Sequence, residues 1–193
     1  MPHRETELLA DHYYHVYNRG VAGNVVFFSP DNYLYFVRLL ARNAARYAVT
    51  IVAYCLMPNH YHLLLTPTRD HNASKFMHSV ASSYSQALNQ RLGRQGPLFQ
   101  GRFRAVWVDR EAYLTHVARY IHANPVMAGL VTRAEAWPYS DYAEVIGIRP
   151  VAQRDGSLVP ERFETGAAYR EFVEGYVMDA QAARQFERYF LDL

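Results

Sequence analysis

Two strand-forming runs separated by only a few residues constrain the fold of this chain more than any other feature. Residues 49–56 (VTIVAYCL) are apolar and partly β-branched, and residues 61–66 (YHLLLT) form a second apolar run just after Pro58 and Asn59. A connection this short, with a Pro-Asn pair in it, predicts a β-hairpin. The chain is therefore expected to build an antiparallel sheet around this hairpin.

The segments on either side of the hairpin extend this prediction. Residues 12–21 and 103–108 alternate in polarity and predict two further strands. Residues 31–48 and 72–92 repeat apolar side chains at helical spacing. The order strand, helix, strand, strand, helix, strand matches a ferredoxin-like split βαβ sandwich, an α/β (α+β) fold whose antiparallel sheet has helices on one face. Since that fold hosts many activities, it does not decide the function.

The C-terminal quarter of the chain differs in composition from this core. Residues 147–160 contain several prolines and glycines and predict a linker, and residues 166–193 predict an amphipathic helical extension. We therefore divide the chain into a main domain, residues 1–148, and a linker with a C-terminal helical tail, residues 149–193.

The composition excludes several classes of protein. No apolar run approaches the roughly 20 residues that cross a bilayer, and residues 1–10 lack the apolar core of a signal peptide. A single cysteine, Cys55, excludes an internal disulfide framework and a multi-cysteine zinc site. These features predict a cytoplasmic protein with no membrane partner.

Arginine and aromatic side chains make nucleic acid a candidate partner. Lys75 is the only lysine among the 20 basic residues, and the chain has 16 Tyr, 10 Phe and 2 Trp residues. Arginine binds phosphate and stacks on bases, and interleaved aromatic rings suit a single strand. A genomic bias toward arginine codons explains the same composition equally well.

The sharpest local pattern is His60-Tyr61-His62 at the start of a predicted strand. Because side chains alternate across a strand, His60 and His62 face the same side, where two imidazoles can share a metal ion. The alternative is a chance pattern among nine histidines.

A helix predicted over residues 110–123 carries the second pattern. We expect it to stop at Asn124 and Pro125, because the residue before a proline avoids the helical conformation. Its apolar face, which should pack on the sheet, comprises Leu114, Val117, Ala118 and Ile121. Its polar face comprises Tyr113, His116, Tyr120 and Asn124.

The two patterns make chemical sense together. If the polar face overlooks the histidines, the Asn124 amide oxygen becomes a third metal ligand beside His60 and His62, with the Tyr120 phenol next to the ion. A divalent ion so bound is a Lewis acid for a phosphodiester, whose phosphorus a tyrosine phenolate can attack. The alternative is that Tyr120 is a packing ring and Asn124 caps the helix.

Two other nucleophilic side chains are weaker candidates. Tyr84 lies on the helix predicted over 72–92 among apolar residues that include Val80 and Leu88, which favours a place in the core. Cys55 lies inside an apolar strand and is also predicted as a core residue.

Longer strings around these residues resemble a known family. They are L-M-P-N-H-Y-H at 56–62, G-R-F at 101–103 and R-Y-I-H-A-N-P at 119–125. In these strings the chain resembles the HUH-type single-tyrosine transposases and is most similar to the REP-associated tyrosine transposases, relatives of the smallest insertion-sequence transposases. The resemblance runs from Tyr14 to Ser140, about two thirds of the chain, and leaves out the tail.

The resemblance implies a function for the main domain. It implies His60, His62 and Asn124 as metal ligands and Tyr120 as the nucleophile; insertion-sequence relatives often have a glutamine in the place of Asn124. Such enzymes use Mg²⁺ or Mn²⁺ to cut single-stranded DNA beside palindromic hairpins and form a 5′-phosphotyrosine link. Candidate DNA contacts are Arg19, Arg102 and Arg104. The sequence leaves open whether the chain forms a homodimer.

Two other functions fit the same fold. A catalytically silent protein could bind structured nucleic acid through the same sheet, although it would have no chemical need for all four site residues. A metal-dependent hydrolase of a small phosphoester would release its product without a protein-linked intermediate, and it would give Tyr120 no role.

Overall fold

The structure, a computed structural model, describes residues 7–150 and 162–178 of the chain. In chain order its main elements are β1 (Tyr14–Arg19), α1 (Pro30–Tyr47), β2 (Val49–Met57), β3 (His60–Pro67), α2 (Asn72–Leu92), β4 (Arg104–Trp107), α3 (Glu111–Met127), α4 (Tyr142–Val145) and α5 (Gly166–Met178). The predicted order of strands and helices is therefore confirmed. The first and last strands in chain order, β1 and β4, are shorter than predicted.

The four strands form one antiparallel sheet in the order β2-β3-β1-β4. The predicted hairpin is β2 and β3, in which Met57 pairs with His60. This order places β3, the strand with the paired histidines, in the middle of the sheet. The ferredoxin-like α/β class is confirmed.

Helices α1 and α2 cover one face of the sheet, as predicted. The side chains that β3 directs to this face are Tyr61, Leu63 and Leu65, all fully buried. Phe36 of α1 packs on Tyr61 with ring centroids 5.2 Å apart, and on Tyr84 of α2 at 5.0 Å. Large apolar side chains of this kind, removed from water, are the main source of folding stability.

Helices α3 and α5 cover the opposite face. The apolar face predicted for the third helix is confirmed, because Leu114, Val117, Ala118 and Ile121 are all buried. The described part of the tail completes this layer: α5 packs on α3 and buries Tyr169, Val173 and Tyr176. The sheet is thus enclosed between two helical layers.

The prediction that the third helix stops at Asn124 and Pro125 was wrong. The helix α3 continues to Met127, with Pro125 inside it and Ala128 as its C-terminal cap. Proline removes one backbone hydrogen bond, but the turn closes because the Ala128 N–H donates to the Asn124 carbonyl at 2.9 Å. Asn124 is therefore not a cap residue.

Parts of the tail prediction lie outside the described residues, namely 151–161 and 179–193. The helix predicted from residue 166 is confirmed as far as Met178. The division at residue 148 stays a prediction. In the described ranges, no helix has the length and apolar character needed to span a membrane.

Candidate active site

The paired histidines lie side by side on the α3 face of the sheet. His60 and His62 belong to β3, and their ring centroids are 4.9 Å apart. Both are buried, with 5% and 0% of their surfaces exposed. Tyr61 between them points into the opposite core. The alternation of the strand therefore separates the two imidazoles from the apolar packing of their neighbour.

Helix α3 brings Tyr120 and Asn124 to the same place. The Tyr120 ring stands edge-on to His62, with centroids 5.4 Å apart. One turn later, Asn124 is buried, and its side chain is close enough to His60 to influence the pKa of that imidazole. The structure thus gathers the four predicted side chains in one chain, while their catalytic roles stay predictions.

Two neighbours hold the histidine rings through their Nδ1 atoms. His60 Nδ1 lies 2.6 Å from the Asn59 side-chain oxygen, which can only accept, so His60 donates from Nδ1. His62 Nδ1 lies 3.0 Å from His15 Nε2 on β1. The Nε2 atoms of His60 and His62 are buried and have no hydrogen-bond partner. Nitrogen atoms in this state are suited to bind a cation.

His15 was not predicted as a site residue from the sequence, although it lies on β1, the strand next to the one that carries His62. It faces the site because β1 pairs with β3 so that Tyr17 lies opposite His62, and His15 follows on the same face. Its ring lies 5.1 Å from His62 and 6.0 Å from Tyr120. The alternation of β1 was a usable signal, but only the register of the two strands shows which residues meet.

Both histidines are held in the neutral form. Burial, together with the charge of Arg19, lowers the pKa of His60 to about 4, although Asn124 acts in the opposite direction. Burial, with His15 and His60 nearby, lowers the pKa of His62 well below its ordinary value. Neutral imidazole is the form that binds metal ions, so the site needs no deprotonation at neutral pH.

The donor set fits a divalent cation with open coordination positions. It offers two imidazole nitrogens from β3 and an amide oxygen from α3, a combination compatible with several divalent metals. No group of three or more His, Cys, Asp or Glu side chains suited to a metal ion occurs among the described residues. If a cation binds here through three protein ligands, the amide of Asn124 is therefore the candidate for the third.

Two of the three arginines predicted to contact DNA lie on the same face as the histidines. Arg19, the last residue of β1, pairs in register with His60. Arg104 of the edge strand β4 pairs with Tyr17, which in turn pairs with His62. Residues paired across neighbouring strands share a face, so Arg104 is two strands, about 10 Å, from His62.

Arg102, the third of these arginines, lies elsewhere. It lines a groove of about 970 Å³ on the α2 side of the sheet, together with Asn18, Ser82 and Phe99. The structure therefore does not bring Arg102 together with the histidines, and its role in binding DNA stays a prediction.

The tail helix α5 reaches the neighbourhood of Tyr120, which the sequence did not indicate. The guanidinium of Arg119 lies over the rings of Phe172 and Tyr176, at 4.1 and 4.7 Å from their centroids. Burial, followed by the nearby Tyr120, raises the pKa of Tyr176 to about 12. The tail thus packs against the segment of α3 that carries the candidate nucleophile.

A buried hydrogen-bond network also ties α5 to α3. His122 Nδ1 lies 2.7 Å from the Tyr169 hydroxyl, and its Nε2 lies 3.1 Å from an Asp141 oxygen. The same oxygen accepts the backbone N–H of Tyr54 on β2. Because every member is buried, the network fixes α3 relative to both the sheet and the tail.

The weaker nucleophile candidates are in the core, as predicted. The Tyr84 hydroxyl donates to the Val26 carbonyl at 2.6 Å, and burial raises its pKa above the ordinary range. Cys55 is fully buried, which raises the pKa of its thiol. Neither side chain is available to a substrate.

Comparison with known proteins gives one family. Residues 9–124 match the family of IS200-like transposases. A protein of Haemophilus influenzae named as a REP-associated tyrosine transposase is 28% identical over 106 residues, which are 50% of this chain. The chain matches only 60% of that protein's length.

The fold is also found in a solved structure, that of a REP-associated tyrosine transposase bound to a REP hairpin. It has a TM-score of 0.64 and 18% identity, and the match covers 81% of this chain and 92% of the other. At this identity the likeness establishes a shared fold.

Proposed function

Because this chain belongs to the IS200-like transposase family, we propose that it cuts and rejoins single-stranded DNA beside palindromic hairpins, with Tyr120 as the nucleophile. The match assigns the chain to a family of transposases. The reaction described here, and the residues that carry it out, are our proposal. A DNA substrate also agrees with the cytoplasmic location expected from the sequence.

One observation carries the proposal. The Tyr120 phenol comes from a helix, and the two unpartnered Nε2 atoms come from a strand, yet all three are buried together at one place on the sheet. Burying polar atoms without partners costs free energy, which a bound cation would offset. A site kept only for hairpin binding has no need for this arrangement.

His60, His62 and Asn124 would hold a divalent cation, Mg²⁺ or Mn²⁺. When bound, such an ion withdraws charge from a phosphate oxygen and makes the phosphorus a better electrophile. Asn59 and His15 orient the two imidazoles through their Nδ1 atoms and act as positioning residues. Arg19, beside His60, adds a positive charge that suits a phosphate.

The reaction on the protein is a transesterification. The Tyr120 oxygen forms a bond to phosphorus while the bond between phosphorus and the 3′-oxygen of the preceding nucleotide breaks. The proton lost by the phenol balances the proton gained by the 3′-hydroxyl that leaves. The DNA end stays attached as a 5′-phosphotyrosine, and a later 3′-hydroxyl can reverse the step.

The expected test result is a covalent protein–DNA adduct. Labelled hairpin DNA with a single-stranded flank is incubated with the full chain and Mn²⁺, and the products are separated on a denaturing gel. Tyr120→Phe is expected to lower adduct formation at least about 10³-fold, because it removes the nucleophile. Removal of the metal with EDTA is expected to have the same effect on the unaltered chain.

Tyr113→Phe is the matched control, since Tyr113 lies on the same helix and its hydroxyl is 3.0 Å from Arg110 rather than from the histidines. It is expected to leave the adduct yield unchanged. Hairpin binding without any adduct, across several hairpins, would instead support a silent binding protein. Cleavage with free products and no adduct would support a hydrolase.

A further inference from the structure

The exposed side of α1 carries a row of three arginines that the proposed reaction does not use. Arg38, Arg42 and Arg46 follow one another at intervals of four residues, and all three are exposed. A helix rises 1.5 Å and turns about 100° per residue, so the row runs along α1 with about 6 Å of rise between successive arginines and about 12 Å from end to end, and it winds about 40° around the helix axis at each step. We call it the arginine row.

Among the residues that the structure describes, no acidic side chain neutralises the arginine row. Like charges four residues apart destabilise a helix, and a solvated helix surface is more stable with acidic residues between them. The only acidic residue of α1 is Asp31 in the first turn, which lies 3.9 Å from Arg91 of α2. Within the described ranges, none of the three arginines forms an ion pair.

The surroundings of the row are also basic. Helices α1 and α2 together carry five basic residues and one acidic residue, Asp31. Helix α2, which packs beside α1, adds Lys75 and Arg91. The small net charge of +2 therefore hides a strongly positive α1–α2 layer.

The row is unlike a surface for single strands. Such surfaces combine cations with exposed aromatic rings on which the bases stack. The exposed side chains beside these arginines are Leu34, Ala41 and Ala45, and the nearby Tyr47 ring is partly covered by Arg46 at 5.3 Å. A row of regularly spaced cations on α1, with no fully exposed aromatic ring beside it, fits a line of phosphates.

With DNA as the proposed substrate, we infer that the arginine row is a second, sequence-independent binding surface for the phosphate backbone of duplex DNA. It lies on the layer opposite the histidines, so it can hold duplex DNA without entering the active site. Phosphate contacts fix the position of a duplex but read no sequence. The surface therefore adds affinity and leaves the choice of cleavage site to other contacts.

The test measures binding to a plain duplex of about 20 base pairs with no palindrome, by fluorescence anisotropy over a range of salt concentrations. The triple variant Arg38→Gln, Arg42→Gln, Arg46→Gln is expected to reduce the slope of log Kd against log salt by about 2 to 3, since each phosphate contact contributes about 0.9. The corresponding triple change to Lys keeps the charges and is expected to keep most of the slope.

A second triple variant, Arg69→Gln, Arg133→Gln, Arg162→Gln, is the matched control. It removes the same charge from three separate exposed positions and is expected to change the slope by less than about 1. An equal reduction in the two triple variants would overturn the inference, because net charge alone would then explain it. An equal loss of affinity for single-stranded oligothymidine and for duplex would overturn the duplex assignment.

Two readouts separate this inference from the proposed function. Circular dichroism of the row variant is expected to show unchanged helix content, since removing like charges relieves repulsion in α1. Its adduct yield on a short hairpin at saturating concentration is also expected to be unchanged. Failure of the chain to form any adduct refutes the transesterase proposal, whereas an unchanged salt slope refutes only the duplex surface.

Discussion

The two faces of the sheet bury different kinds of side chain, although the same strands supply both. From β3, the α1–α2 face receives Tyr61 and Leu63 in a core of large apolar side chains. The α3–α5 face receives His60 and His62, and it buries further polar groups such as His15. The first face is closed mainly by apolar packing, with isolated hydrogen bonds such as that from the Tyr84 hydroxyl to the Val26 carbonyl, while the second also buries a connected network through His122.

This difference shows how one strand can supply both an apolar core and a buried polar site. Because successive side chains point to opposite faces, the pattern His-Tyr-His puts two imidazoles on one side and an anchoring ring on the other. Burial on the α3–α5 side keeps the imidazoles neutral, since water cannot stabilise their charged forms. Substitutions on the two faces should therefore affect different measured quantities.

The largest expected difference comes from removing one large side chain from each face. Phe36→Ala, on the apolar face, is expected to lower the free energy of unfolding by about 3 to 5 kcal/mol, because it leaves a cavity among packed rings. His62→Ala, on the other face, is expected to abolish metal-dependent adduct formation with a smaller loss of stability. Urea unfolding and the adduct gel measure the two effects. A comparable loss of stability in both variants would contradict the division between the faces.

Acid should destabilise the protein through its α3–α5 face. Burial lowers the pKa of His60 to about 4 in the folded chain, against about 6.5 when unfolded. As pH falls from about 6.5 to 4, the unfolded chain takes up the proton first, so His60 reduces the free energy of unfolding by up to about 3 kcal/mol. His60→Asn should flatten this part of the pH dependence in urea titrations.

The control for the pH effect is a variant of the other face that removes no histidine. Tyr84→Phe should lower stability by a similar amount at every pH in this range. If His60→Asn kept the full pH dependence of the unaltered chain, the assignment of that dependence to His60 would be wrong.

The smallest expected effect compares one buried hydroxyl from each face. Tyr169→Phe removes the partner of His122, and Tyr84→Phe removes the donor to the Val26 carbonyl. Each should lower the free energy of unfolding by about 1 to 3 kcal/mol, since each leaves a buried polar group without its partner.

Only Tyr169→Phe should also slow adduct formation, because its network positions the helix that carries Tyr120. The readout is the rate of adduct formation at saturating DNA, measured at a temperature where both variants are folded. Equal rates for the two variants would show that α5 supports stability alone.

The local patterns of the sequence predicted most of the fold. The hairpin at Pro58 and Asn59, the helix over residues 72–92 and the apolar face of α3 were all readable, because each depends on periodicity or on turn residues a few positions apart. The exception was Pro125, from which the local sequence wrongly predicts the end of a helix. The packing of α3 between the sheet and α5 keeps the helix intact past it.

The sequence by itself also determined which side chains share a face: the two histidines on β3, and Tyr120 with Asn124 on α3. Only the tertiary structure decided that these two faces meet, that His15 stands behind His62, and that the tail packs beside Tyr120. The physical reason is that a face follows from the period of one element. Whether two elements come into contact depends on strand register and on packing between segments distant in the chain. The periodicity of a single element contains no information about either.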